Sequence, residues 1–181
     1  MIPVGYMAKN VSKIPDWLKV DNVTDIYSVS GCISQSFADY IKFWKHNGYW
    51  FFDNPDIIKR LCHDNGIDIS DSTLFYYEVY EKQYDKCKRL WADFKPEPSF
   101  STNVHIPEYK KLEGYDVVSF FVQTSPECSP LSCNNLAQNI SVNQHCLLST
   151  FEEAKSYLEF DKFDNSEPGP FRIFAVYSLP D

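Results

Sequence analysis

The chain has 181 residues, 44% of them hydrophobic, and its 17 basic and 25 acidic side chains give a formal charge of −8 at neutral pH. That is enough apolar matter for one core of ordinary domain size and too much for a disordered chain. No run approaches the ~20 consecutive apolar residues of a membrane-spanning helix, and with only 6 glycines a collagen-like repeat is excluded. The acidic balance repels phosphate backbones, which disfavours general nucleic-acid binding and favours a basic protein as partner.

The first ten residues carry neither a basic leader nor a continuous apolar stretch, so a reducing, cytoplasmic setting is expected. Cys32, Cys62, Cys87, Cys128, Cys133 and Cys146 are then expected as thiols that pack like small hydrophobes. The glycosylation triplets starting at Asn10, Asn22 and Asn139 read as chance matches in that setting.

Residues 24–30 alternate apolar and polar as a half-buried strand does. Ser36 with Asp39 resembles a capping box, and Phe37, Ile41 and Trp44 continue at helical spacing until Asn47 and Gly48. Residues 49–52 are a brief strand or a core plug. A helix over 55–64 is framed by Asp53 or Asn54 as cap, Pro55 at its start and Gly66 beyond its end, with Ile57, Ile58, Leu61 and Cys62 on one face. Residues 73–81 alternate as a strand with aromatics on both faces, which suits a central position. Any irregular insertion falls at 85–114. Between Glu81 and Gly114, Lys82, Lys86, Lys88, Arg89 and Lys95 gather beside Tyr84, Trp91 and Phe94, and the spacing predicts a solvated helix with Leu90, Trp91 and Phe94 inward.

A buried strand is predicted from Tyr115 to Val122, followed by a polar loop over 124–135 and another strand over 143–148. Ser149 with Glu152, or Thr150 with Glu153, offers a capping box for a helix that turns Phe151, Ala154 and Leu158 inward. Pro168, Gly169 and Pro170 break the chain before a terminal strand over 171–177. Glu152, Glu153, Glu159, Asp161, Asp164 and Glu167 face only Lys155 and Lys162 as nearby compensation, the pattern of a solvated helix face and its loop. Strands and helices do not alternate as regular βαβ units. The expected fold is therefore α+β, a mixed or largely antiparallel sheet covered by two to four helices in one compact domain.

Two chemical readings centre on residues 127–146. Cys128, Cys133, His145 and Cys146 have the atom types of a zinc site, but the spacing is non-standard and neighbours in a strand point to opposite faces, so no metal is expected. Cys133 is a candidate nucleophile if Ser132 or Asn134 opens a short helix through 136–138, with His145 as base and Asn143, Glu78 or another carboxyl group orienting it. Phosphate-cradling and dinucleotide-binding signatures are absent from the sequence, and no cofactor is expected. His46 and His63 sit near predicted helix ends, where a dipole role is ordinary.

The leading expectation is a non-enzymatic interaction protein that binds another macromolecule, as small inhibitory or immunity-type proteins of similar composition do. Its candidate contacts are Glu127, Ser129, Ser132, Asn134 and Asn135. The alternative is a cysteine-dependent hydrolase or transferase using Cys133 and His145.

Overall fold

Strands rich in aromatic and β-branched residues from both ends of the chain meet in one antiparallel sheet. The computed structural model describes residues 1–31, 33–37, 47–94, 103–120 and 126–180. The sheet is organised around its last strand in sequence, which pairs along both edges. Strands β1 (Ile2–Lys9) and β4 (Thr73–Val79) pair with each other, and β4 pairs in turn with β8 (Phe171–Ser178). The far edge of β8 takes β7 (Lys111–Ser119). Beyond β4 the chain continues along the same edge of β8 as β5 (Lys82–Asp85), through Tyr84 opposite Phe171, and folds back as β6 (Leu90–Asp93). A separate ribbon joins β2 (Ser12–Lys13) to β3 (Asp25–Ile26).

Because β8 is hydrophobic on both faces, the sheet must be covered twice. Phe174 and Val176 pack with Phe75, Tyr77, Val118 and Phe51 on one side. Phe171 and Ile173 pack with Val117, Leu131, Leu158 and Phe163 on the other. Each such side chain contributes about 1.5–3 kcal/mol when fully buried. The expected α+β class with a largely antiparallel sheet is borne out.

Helix α1 (Pro55–Asn65) follows its sequence signals closely. Asn54 Oδ1 accepts from the Ile57 N–H at 3.1 Å, and Gly66 ends the helix in the left-handed conformation. Ile58 and Cys62 are buried, and burial pushes the Cys62 thiol pKa up. After the short helix α2 (Pro130–Cys133) and a 3-10 turn (Leu136–Gln138) comes α3 (Phe151–Glu159). Of the two capping boxes, the structure uses Thr150 with Glu153, whose side chains each bond the other residue's N–H. Thr150→Ala is expected to cost about 1 kcal/mol in urea denaturation. Ser149→Ala should leave the midpoint in place; a larger loss there would assign the cap to the wrong residue.

Several elements depart from expectation. The predicted helix across Leu90, Trp91 and Phe94 is the β5–β6 hairpin: Tyr84 stands opposite Trp91 in register with ring centroids 5.1 Å apart, and this cross-strand pair replaces the helical stripe. Leu90 is 44% exposed there. The predicted strand over 143–148 is a series of turns, because Asn143 Oδ1 accepts the His145 and Leu147 N–H groups and supplies locally what a ladder would have supplied. The strand over 24–30 shortens to Asp25–Ile26, since the carbonyls of Ser28, Val29 and Ser30 turn onto the buried Lys9 ammonium. The first strand, β1, has no counterpart in the sequence reading. The helix expected between Ser36 and Gly48 falls on residues 38–46, outside the described residues. Among the described residues no helix is long and apolar enough to cross a membrane.

Candidate binding cleft

The basic stretch of the sequence and its acidic stretch are 70 to 80 residues apart in the chain and adjacent in the fold. Asp85 starts the β5–β6 turn by accepting the Lys88 N–H, a bond that holds its carboxyl below the usual pKa. The turn then presents Lys86, Lys88 and Arg89 towards the loop that follows α3. Lys86 Nζ lies 3.3 Å from Asp164 Oδ1 and donates to the Asp164 carbonyl at 3.0 Å. Arg89 pairs with Asp161, and the Trp91 indole N–H donates to Glu159 at 2.8 Å. Lys88 returns to Asp85 at 3.1 Å.

Between turn and loop lies a cleft of about 710 Å³, within the ordinary range for a binding cavity. One hairpin face contributes Gln83, Asp85, Leu90 and Ala92, and the loop contributes Asp161, Asp164 and the Pro168–Gly169–Pro170 turn. Leu90 is 44% exposed, and Phe160, next to Asp161, is 73% exposed. Each ion pair here has one well-exposed partner and one partly buried partner, and such pairs near the surface contribute ~0–1 kcal/mol each. Each can therefore be exchanged for a similar pair with an incoming charge at little net cost. The cleft joins concave surface, the exposed Leu90 and partly solvated ion pairs.

The sequence-selected contacts lie elsewhere. Ser129 and Ser132 are each only 1% exposed. Ser129 Oγ donates to Asp116 Oδ2 at 2.6 Å and accepts the Ser30 N–H at 3.2 Å, while Ser132 Oγ donates to the Ser129 carbonyl. The structure places these two in the interior, where the apolar neighbours Leu131, Leu136 and Ala137 carry the segment into the core. Asn135 is half-buried with positive φ, and Glu127 is half-buried with its N–H on the Ser119 carbonyl. Asn134 Oδ1 accepts from the Glu167 N–H at 3.4 Å, so the segment braces the loop that forms one side of the cleft.

Cys133 closes α2 instead of opening the next turn, so it lacks the helix N-terminus that would favour its thiolate; its Sγ lies 3.8 Å from Ser30 Oγ. His145 is engaged by other groups. Its Nδ1 meets Asp25 Oδ1, its Nε2 lies 3.5 Å from Glu113 Oε2 and 3.1 Å from the Gln144 amide, and its ring stacks on Tyr27 at 4.0 Å. Of the expected orienting groups, Asn143 accepts the backbone N–H of His145 and Glu78 binds Lys110, while the ring itself meets the carboxylates of Asp25 and Glu113. The Cys146 thiol pKa is pushed up to about 12 by burial and by the charges of Asp116 and Cys133. Among the described residues no group of three or more histidines, cysteines or carboxylates is arranged to hold a metal ion.

The sequence spacing turns Leu90 inward, whereas the structure exposes it at 44%, and the sequence assigns Phe160 no role. The signal in the sequence is the opposite sign of the two charged stretches, each of which reads on its own as a solvated face. Comparison with protein-family models, curated proteins and solved structures returns no match for this chain.

Proposed function

We propose that the protein acts by binding a basic protein, with the cleft between the β5–β6 turn and the loop after α3 as its contact surface. The observation that carries this reading is the exposed Leu90 in the wall of a concave surface whose ion pairs are partly solvated, with Phe160 exposed next to Asp161 in the chain. A net charge of −8 steers a cationic partner towards the molecule. On docking, the partner's lysine or arginine side chains take Asp161 and Asp164 in place of Arg89 and Lys86, and its apolar residues cover Leu90 and Phe160. Core apolar contacts of this kind hold most of the binding energy, with charges at the rim setting association rate and salt dependence.

The test compares proteins captured from native lysate by the unsubstituted chain and by the Leu90→Ser/Phe160→Ser variant. The reading expects a basic protein retained at low salt, released at high salt, and weakened roughly a hundredfold by the double substitution, since each lost apolar anchor is worth ~1.5 kcal/mol. Ser129→Ala and Ser132→Ala should leave capture unchanged. Equal capture by the double variant, or a partner indifferent to salt, overturns the proposal.

A further inference from the structure

At the opposite end of the sheet from the cleft, Tyr6, Tyr76 and Tyr177 stand side by side on β1, β4 and β8. Ring centroids are 5.2 Å apart for Tyr6 and Tyr76 and 5.7 Å apart for Tyr76 and Tyr177. Glu78, two residues after Tyr76, shares their face. Tyr177 Oη donates to Glu78 Oε2 at 3.0 Å and Tyr76 Oη approaches Oε1 at 3.4 Å. The result is a carboxylate held at the base of an aromatic recess by the hydroxyls of its own walls. Tyr76 is fully buried and the Glu78 side chain only 15% exposed, so both are positioned by the sheet.

The recess holds an ammonium group supplied by the chain itself. Lys110 Nζ lies 4.7 Å from the Tyr76 ring centroid and 4.4 Å from that of Tyr177, and it donates to Glu78 Oε1. Two π faces and one carboxylate make a strong combination for an alkylammonium ion, because the rings attract the charge and the carboxylate accepts its N–H. Receptor and occupant differ in how they are held. The receptor residues Tyr76, Glu78 and Tyr177 belong to the paired strands β4 and β8. Lys110 belongs to an irregular stretch just before β7, which is tied down upstream by the His105 N–H on the Asp53 carbonyl and by Tyr6 Oη on the His105 carbonyl. That stretch exposes Ile106 at 56% and Tyr109 at 69%, and the start of β7 exposes Leu112 at 42%.

We infer that the Tyr76–Tyr177–Glu78 recess is a binding site for a primary alkylammonium group, such as the side chain of a partner's lysine, and that Lys110 occupies it as an intramolecular competitor. A ligand gains access when Lys110 swings out about the start of β7. This recess is separate from the cleft and stands whether or not the cleft binds a protein.

The probe is n-butylammonium chloride, titrated against Lys110→Ala while the ring-proton NMR shifts of Tyr76 and Tyr177 are followed, with sodium chloride at matched ionic strength as the blank. Saturable shifts are expected in Lys110→Ala, with no response from the unsubstituted chain over the same range. Adding Glu78→Gln should weaken binding roughly tenfold by removing the charged acceptor. Tetramethylammonium, which has no N–H, should bind more weakly than n-butylammonium. Shifts no larger than those from sodium chloride, equal binding by the unsubstituted chain, or tetramethylammonium binding as well as n-butylammonium overturns the inference. The titration is repeated on Lys110→Ser. Loss of the native spectrum in both variants also overturns it, because Lys110 would then be part of the fold and not an occupant.

Discussion

Gly114→Ala is expected to destabilise the protein by roughly 4 kcal/mol, the sum of a forbidden backbone conformation and an overpacked contact. Gly114 has φ +152° and lies at the bulge where β7 shifts register against β8 between Leu112 and Gly114. A Cβ there would sit 2.7 Å from Leu147 Cβ and 2.8 Å from the Leu148 carbonyl oxygen. Neither neighbour can give way cheaply. Both leucines are fully buried, and Leu148 exchanges backbone hydrogen bonds with Tyr115 at 2.8 and 2.9 Å. Retreat of this segment would also pull Asn143 from the Glu113 carbonyl, which its amide reaches at 2.6 Å, and so loosen the turn that carries His145.

Gly66→Ala separates the two contributions. Gly66 also has positive φ, +64°, but nothing lies within 4 Å of the Cβ it would acquire. That substitution should cost about 1 kcal/mol from the backbone alone. Urea midpoints measured for both variants give the comparison, and equal losses would mean that the crowding at Gly114 is relieved without penalty.

Elements whose causes are local were legible in the sequence. Asn54, Pro55 and Gly66 frame α1 within a dozen residues, and Thr150 with Glu153 starts α3. The two-residue alternation of β4, and the Pro168–Gly169–Pro170 break that precedes the apolar run of β8, are likewise local. Where a long-range partner decides the outcome, the sequence misleads. Leu90, Trp91 and Phe94 fit a helix as readily as a strand, and it is Tyr84 across the hairpin that selects the strand. In β1, Pro3 and Gly5 mask a strand whose register shifts between those same residues. The cleft follows this division. Its lysines and aspartates were visible, but their meeting depends on β5 continuing the line of β4 along β8. His145 was singled out for its closeness in sequence to Cys133, whereas its partners Asp25 and Glu113 come from β3 and β7.

The second large effect concerns pH. Asp116 is 1% exposed; its Oδ2 accepts from Ser129 Oγ at 2.6 Å and from the Val29 N–H at 2.8 Å. Burial pushes its pKa up to about 6, against the opposing pull of those two hydrogen bonds and of the Lys9 charge. In the unfolded chain the group has its ordinary value of 3.8. Between these values the folded protein keeps a proton that the unfolded chain releases, so this residue's contribution is most favourable below pH ~4 and is lost as pH rises through ~6. The gap corresponds to roughly 3 kcal/mol. Other carboxylates act in the opposite sense. At Glu113, burial raises the pKa but is outweighed by hydrogen bonds from Ser178 and Lys111, so its stabilising contribution is lost as pH falls. The total slope is therefore a sum, and the informative quantity is the difference between the unsubstituted chain and Asp116→Asn, in which the neutral amide can still accept from Ser129 and Val29. From pH 4 to pH 7 the stability of Asp116→Asn relative to the unsubstituted chain should rise by roughly 2 kcal/mol, most of that gap, read from urea denaturation at each pH. Parallel curves across that window would place the titration of Asp116 outside it and remove burial as the force that governs this carboxyl.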